Sequence, residues 1–235
     1  MTDLLTQAKS WLAQDPDPAT RAELAALIDS GAMDELEDRF KAMLEFGTAG
    51  LRGALGAGPN RMNRVVVTMA AAGLAAYLKA NGATSTDSVV IGYDARHNSD
   101  VFARDTAEIM TGAGLRAMVL PRPLPTPIVA FGIRHLGAVA GVMVTASHNP
   151  PQDNGYKVYL GDGSQIVPPA DSEIASEIAK ISDIRLLPRG DSGEVLGEEV
   201  IASYEACAGK VIKPNGPRHL NLVYTPLHGV GGETV

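Results

Sequence analysis

The apolar positions of this chain repeat at two different spacings. Over the first 45 residues Leu4, Leu5, Ala8, Trp11 and Leu12 recur every three or four positions, which gathers them on one face of a helix. The run Asp15-Pro16-Asp17-Pro18 interrupts that pattern. A second helical stretch covers 21–28 and stops near Gly31, and a third runs over 33–44 into Phe46-Gly47. Residues 1–45 are therefore expected to form a helical N-terminal extension. From residue 64 onward the text alternates. An apolar helix over 65–80 ends at Asn81-Gly82. Short buried runs at 89–93, 115–120 and 138–144 read as strands, separated by helices at 99–111 and 126–135. Thr126 and Pro127 supply an N-cap and a first-turn proline for the latter helix.

Helices alternating with short strand-like runs predict an α/β fold. With 156–160 as a further strand, the expectation is a three-layer α/β/α domain with a mixed four-stranded sheet, preceded by the helical extension. Any site belongs at the carboxyl ends of the strands. Pro168-Pro169 opens a helix with Ile174, Ile178 and Ile181 on one face, 182–197 reads as a Gly-, Pro- and Asp-rich loop, and a last helix spans about 198–207. The domain boundaries follow: 46–208 for the main domain, 209–218 for a linker around Lys213-Pro214-Asn215-Gly216-Pro217, and 219–235 for the start of a second domain, with a new strand over 219–224. So short a segment cannot bury a core. The chain is thus expected to be the amino-terminal piece of a longer polypeptide.

Composition narrows the function classes. The 235 residues are 45% hydrophobic and 20% charged, as in soluble globular proteins. Lys and Arg number 20 against 27 Asp and Glu, for a net charge of -7, so the basic footprint of a nucleic-acid binder is missing. An anionic ligand must be met by a local basic cluster. The longest apolar stretch, 65–78, is interrupted by Thr68 and Gly73 and falls short of the ~20 residues that cross a bilayer, so no membrane partner is expected. The N-terminus has neither the basic start nor the apolar core of a signal peptide. Cys207 is the only cysteine, which excludes an internal disulfide and fits a reducing cytoplasm; it reads as a core residue of its helix. His97, His135, His219 and His228 read as surface or packing residues.

Three segments carry candidate chemistry. In Val142-Met143-Val144-Thr145-Ala146-Ser147-His148-Asn149-Pro150-Pro151 a buried strand ends and a hydroxyl emerges at once into a loop stiffened by two prolines. Ser147 is a positioned nucleophile or a turn and capping residue; the pattern allows both. Thr145 and Asn149 stand where a hydrolase elbow needs glycines. His148 either assists at that serine or hydrogen-bonds the loop. In Asn154-Gly155-Tyr156-Lys157, Lys157 is a solvated strand-end lysine, or a point charge facing phosphate, or a proton carrier if burial lowers its pKa. Phe46-Gly47-Thr48-Ala49-Gly50-Leu51-Arg52-Gly53 is a flexible turn, or a loop that presents backbone N–H groups and the Arg52 guanidinium to a phosphate. Asp94 and Arg96 read as a loop-bracing ion pair.

Together these segments resemble one family, the α-D-phosphohexomutases (phosphoglucomutase and phosphomannomutase). Thr145-Ala146-Ser147-His148-Asn149-Pro150 is similar to the family's phosphoserine loop, Gly47-Thr48-Ala49-Gly50-Leu51-Arg52-Gly53 to its amino-terminal phosphate-contacting loop, and Gly92-Tyr93-Asp94-Ala95-Arg96 to its early strand-loop motif. The likeness covers about 44–235, with Tyr224-Thr225-Pro226-Leu227-His228-Gly229-Val230-Gly231 similar to the start of the second domain. The helical extension and that last segment resemble most the phosphoglucomutase and phosphopentomutase branch.

The resemblance implies a mutase that interconverts sugar 1-phosphate and 6-phosphate, glucose phosphates first among them, through a phosphoserine and a hexose 1,6-bisphosphate that serves as intermediate and activator. It implies Ser147 as phosphocarrier and, through its phosphate, as one ligand of Mg²⁺. It implies Lys157 as general acid/base, His148 as an assistant to the transfer, and Thr48 and Arg52 as phosphate or substrate contacts. No Asp-Gly-Asp-x-Asp-Arg metal loop, Gly-Glu-x-Ser-Gly sugar-selecting loop or later Arg/Ser/Gly-rich phosphate loop occurs in the chain. In the family those lie in the second, third and fourth domains, so this piece alone is expected to be inactive, its partners being a small-molecule sugar phosphate and the missing carboxyl-terminal domains. The alternative is a stand-alone sugar-phosphate binding or regulatory module. A serine hydrolase lacks an assignable acid and histidine.

Overall fold

Three helices come first, α1 (Thr2–Gln14), α2 (Pro18–Asp29) and α3 (Met33–Phe40), in a computed structural model that describes residues 2–47, 50–213, 215–216, 219, 221–227 and 229–235. After them follow β1 (Leu51–Ala54), α4 (Arg64–Ala80), β2 (Ser88–Tyr93), α5 (Ser99–Gly112), β3 (Arg116–Val119), α6 (Thr126–Leu136), β4 (Ala140–Val144) and β5 (Asp153–Leu160). Then come α7 (Ala170–Ile178), a 3₁₀ turn (Ile184–Leu186), β6 (Glu194–Val195) and α8 (Glu199–Gly209). The strands form one mixed sheet in the order β1-β5-β4-β2-β3-β6. Parallel pairing joins β4, β2, β3 and β6, whereas β5 runs antiparallel between β4 and β1.

The apolar character of α4 on every side has a simple cause, because α5 and α7 flank it and the sheet lies beneath. Val65, Val67, Ala70 and Leu74 are fully buried and share a core with Val89, Ile91, Val142 and Val158 of the strands. On the opposite face Ile128, Val129 and Ile133 of α6 pack with Val90 and Met143, and Val200 and Ile201 of α8 close the layer. Here α6 comes so near the sheet that a Cβ at Gly92 would overlap Val129 and one at Gly141 would overlap Ile133. The three-layer α/β/α expectation therefore holds.

The helical extension belongs to the same core, which includes Ala8, Trp11, Leu24 and Leu36, and the Trp11 ring meets Phe40 edge-on at 6.2 Å. Glu23 accepts from the Ala57 amide at 2.9 Å and Arg39 donates to the Ala57 carbonyl at 3.1 Å. The extension thus braces the segment between β1 and α4.

Several expectations are corrected. The sheet has six strands rather than four: β1 owes its form to antiparallel hydrogen bonding with β5, and the two-residue β6, inside a segment read as loop, is too short to show a period. Thr126 is the first helical residue of α6, with Pro125 at the N-cap position and no side-chain cap. The third helix ends at Phe40, not 44, and Ile181 lies past the end of α7 while still packing on the core. Cys207 is exposed rather than core, because α8 buries only Val200 and Ile201 in its first turns and its last turn overhangs solvent. Residues 219 and 221–224 form no strand, having no neighbouring strand to bond with. Pro214, Pro217 and Arg218 of the linker, and His228, lie outside the described residues. His97, His135 and His219 are exposed, His135 stacking on Phe131 at 5.0 Å. No helix among the described residues is long and apolar enough to cross a membrane.

One buried ionic cluster ties the helical layer together. Asp105 of α5, with no exposed surface, accepts two hydrogen bonds of 2.7 Å from Arg64 and one of 3.0 Å from Arg189, which also reaches Glu108 and Thr68. Removing the carboxylate leaves the sheltered Arg64 guanidinium without its ion-pair partner, while Arg189 keeps Glu108 alone. Asp105→Ala is expected to lower stability by about 3 kcal/mol and the melting midpoint by about 6–12 °C, as read by thermal unfolding.

Candidate active site

Strands β2 and β4 are neighbours, with Tyr93 opposite Val144, so the residues that follow, Asp94 and Thr145, leave the sheet side by side. The chain departs from β2 towards β3 and from β4 the other way, towards β5. Diverging connections leave a crevice at the carboxyl ends of parallel strands.

Asp94 is the hub of this crevice. Thr145 Oγ1 donates to its Oδ2 at 2.6 Å, while Ser99 Oγ and the Arg96 amide donate to Oδ1 at 2.8 and 3.0 Å. Thr145 Oγ1 in turn accepts the Ser147 amide at 3.0 Å. Ser147 has φ 58°, a left-handed conformation that is unfavourable by about 1–2 kcal/mol for a residue with a Cβ. It persists because the surroundings over-determine it.

Arg96 holds the rest of the loop from beneath. Its two terminal nitrogens donate to the carbonyls of Ser147, Asn149, Pro150 and Asp153 at 2.8, 2.9, 2.9 and 3.0 Å, and its Nε lies 3.4 Å from Asp94 Oδ2. The ion pair read from the sequence exists, but the guanidinium acts mainly as a four-carbonyl clamp. Asn149 donates to the Asp153 carboxylate at 2.9 Å, and buried Asn154 donates to the His97 carbonyl and Ser99 Oγ. The Ser147 hydroxyl and His148 ring are left exposed, with Ser147 Oγ 3.4 Å from His148 Nδ1.

Arg52 and Lys157 lie on adjacent antiparallel strands, Arg52 opposite Gly155 and Lys157 two positions further along the same face. A Cβ at Gly155 would stand 2.6 Å from the Thr145 carbonyl and 3.0 Å from Arg52 Cγ, so only glycine lets β1 and the serine loop approach this closely. Arg52 Nε is buried with no hydrogen-bond partner among the described residues. Burial, followed by the Arg52 charge, pushes the Lys157 ammonium below the ordinary 10.5, with Asp94 pulling the other way. An NMR titration of Lys157 is expected to give a midpoint below that value, and Arg52→Gln, which removes the neighbouring cation, to move it upward. An unmoved midpoint would separate the two side chains electrostatically.

Of the residues singled out from sequence, Ser147 and His148 stand together on one loop, and Arg52 and Lys157 share one face of the adjoining strands. Thr48 lies outside the described residues; Gly47 and Gly50, on either side, hydrogen-bond to each other, the Gly50 amide donating at 2.7 Å. Sequence reasoning missed Thr145, Ser99 and Asn154 as members of the site. The Thr-x-Ser spacing was the available signal for Thr145, since such hydroxyls bond the amide two residues on. Among the described residues no group of three or more His, Cys, Asp or Glu side chains is placed to hold a metal ion.

Comparison with known proteins agrees with this fold. Residues 43–185 match the family described as phosphoglucomutase/phosphomannomutase, alpha/beta/alpha domain I. A Haemophilus influenzae protein named a probable phosphomannomutase is 55% identical over 179 residues, covering 74% of this chain and 36% of its own length. The Saccharomyces cerevisiae phosphoribomutase is 38% identical over 254 residues, covering 98% of this chain and 40% of its own. Among solved structures, that of a Thermus thermophilus protein provisionally named a phosphomannomutase superposes with a TM-score of 0.64 at 30% identity, over 73% of this chain and 37% of that one. The chain therefore spans about two fifths or less of the length of these relatives.

Proposed function

Because this chain belongs to the phosphoglucomutase/phosphomannomutase family, we propose that it carries the phosphoserine of a sugar-phosphate mutase, with Ser147 as the phosphoryl carrier. The observation that supports this most is an exposed hydroxyl, held in an unfavourable backbone conformation on a clamped loop that leads into β5, where partly buried Lys157 shares a face with Arg52 of β1, whose Nε finds no partner among the described residues. Phosphoryl transfer depends on placing donor, acceptor and charge in line, and a rigid loop with fixed cations is suited to that.

In the forward half-reaction a free hydroxyl of the sugar monophosphate attacks the phosphorus on Ser147. Its O–P bond forms as the P–Oγ bond breaks; Lys157, when neutral, takes the hydroxyl proton and passes it to the departing Ser147 Oγ. The bisphosphate turns round, Ser147 Oγ gives its proton to Lys157 as it attacks the other phosphorus, and Lys157 returns that proton to the departing sugar oxygen. Arg52, and Thr48 by resemblance, hold phosphate oxygens, and His148 stabilises the transferring group at Ser147.

Mg²⁺ would find one oxygen on the phosphoserine and its remaining ligands outside this chain, and would there offset charge on the transferring group. We assign turnover to the full gene product, with 46–208 as its phosphoserine domain and 209–235 leading into further domains that read the sugar. Cytoplasmic location and a sugar phosphate as the small-molecule partner follow from the same reading.

Intact-mass analysis of the full gene product after incubation with glucose 1,6-bisphosphate should show phosphate on Ser147. A coupled assay should then convert glucose 1-phosphate to glucose 6-phosphate; mannose and ribose 1-phosphates compared alongside identify the preferred sugar. Micromolar binding without interconversion would instead make it a sugar-phosphate binding module.

A further inference from the structure

Resting on that mutase reading, we propose that Thr145 is a positioning residue for the phosphoryl carrier: its hydroxyl, oriented by Asp94, holds the Ser147 amide and so keeps Ser147 in the left-handed conformation that presents its Oγ. A threonine hydroxyl has one hydrogen to donate and lone pairs to accept with. The ionised Asp94 carboxylate can only accept, so the 2.6 Å contact fixes the direction: Thr145 donates to Asp94, and its lone pair is left for the Ser147 N–H at 3.0 Å. Thr145 is 5% exposed, which keeps water from competing for either bond. Its β-branch restricts χ1, and Ser99, the Arg96 amide and the Arg96 guanidinium hold the carboxylate itself in place.

The Arg96 clamp does not make this relay redundant. Arg96 binds carbonyls at 147, 149, 150 and 153, which fixes where the loop lies, whereas the Ser147 amide bond acts on the φ of Ser147. Without that acceptor the loop stays docked while Ser147 can relax towards negative φ, and its Oγ swings away from the line of transfer.

The test uses Thr145→Val, which keeps the shape and removes the hydroxyl, and Thr145→Ser, which keeps the hydroxyl, both in the full gene product. Thr145→Val is expected to lower kcat about 100-fold with KM for glucose 1-phosphate within about threefold, and to speed hydrogen exchange at the Ser147 amide about tenfold. Thr145→Ser should recover kcat to within about fivefold of the parent. Wild-type kcat and unchanged Ser147 exchange in Thr145→Val would overturn the proposal, as would a Thr145→Ser variant as slow as Thr145→Val, which would point to methyl packing. Failure of the mutase reading looks different, since the parent protein itself would then carry no phosphate and turn over nothing. Even then, the exchange rate at Ser147 decides the positioning role.

Discussion

Replacing Ser147 by alanine is expected to lower kcat of the full gene product by about 10⁴-fold or more and to abolish its phosphorylation by glucose 1,6-bisphosphate. Thr145 is not free to take over, because its hydrogen is committed to Asp94 and it is buried. The loss will not come from unfolding, because Ser147 Oγ is exposed and, among the described residues, bonds only to His148 Nδ1 at 3.4 Å. Binding should survive, since Arg52 and Lys157 are untouched, so KM or the equilibrium affinity for glucose 1-phosphate is expected to stay within about threefold. Ser147→Gly is a useful companion: glycine adopts φ 58° freely, so it removes the hydroxyl without adding backbone strain and should be equally inactive. Full turnover by either variant would sink the phosphocarrier role outright.

What the sequence made legible follows from where each signal resides. The helix over 64–80 and the strands at 88–93 and 140–144 announce themselves because burial on most sides demands predominantly apolar residues. The strand at 51–54 does not, since Leu51-Arg52-Gly53-Ala54 has no period of its own and becomes a strand only by pairing with 153–156. Ser147 stood out because its loop is contiguous and stiffened by proline. Arg96 was read from its neighbour Asp94, two residues away, whereas its principal bonds reach carbonyls 51 to 57 residues on, a distance that no local pattern encodes. Cys207 shares a helical face with Val200 and Tyr204, but helical spacing does not tell where the covering helix ends. The charge environment of Lys157 likewise required the register of β1 on β5, which places a second cation beside it.

Lys157→Met is expected to lower kcat about 10³-fold with little loss of stability, because methionine retains most of the apolar stem that covers the strand. The size of the effect follows from the proton. An attacking hydroxyl must lose its hydrogen as its bond to phosphorus forms, and a lysine held at its usual pKa would be protonated at neutral pH and unable to take it. Burial and the Arg52 charge lower that pKa, and the Asp94 carboxylate partly offsets them, so the neutral amine is more accessible here than in water. The sign of the pH dependence is then fixed: the limb of kcat/KM that reports deprotonation of Lys157 should fall below pH 10.5 and should move up when Arg52→Gln removes the repulsion. Lys157→Arg separates proton transfer from charge. Arginine keeps the cation but does not deprotonate in this range, so it should preserve KM to within about threefold while matching the loss of kcat in Lys157→Met. If Lys157→Arg instead turned over at the parent rate, Lys157 would be a phosphate holder, and the proton would have to leave through the His148 ring, the other titratable group exposed beside Ser147 Oγ.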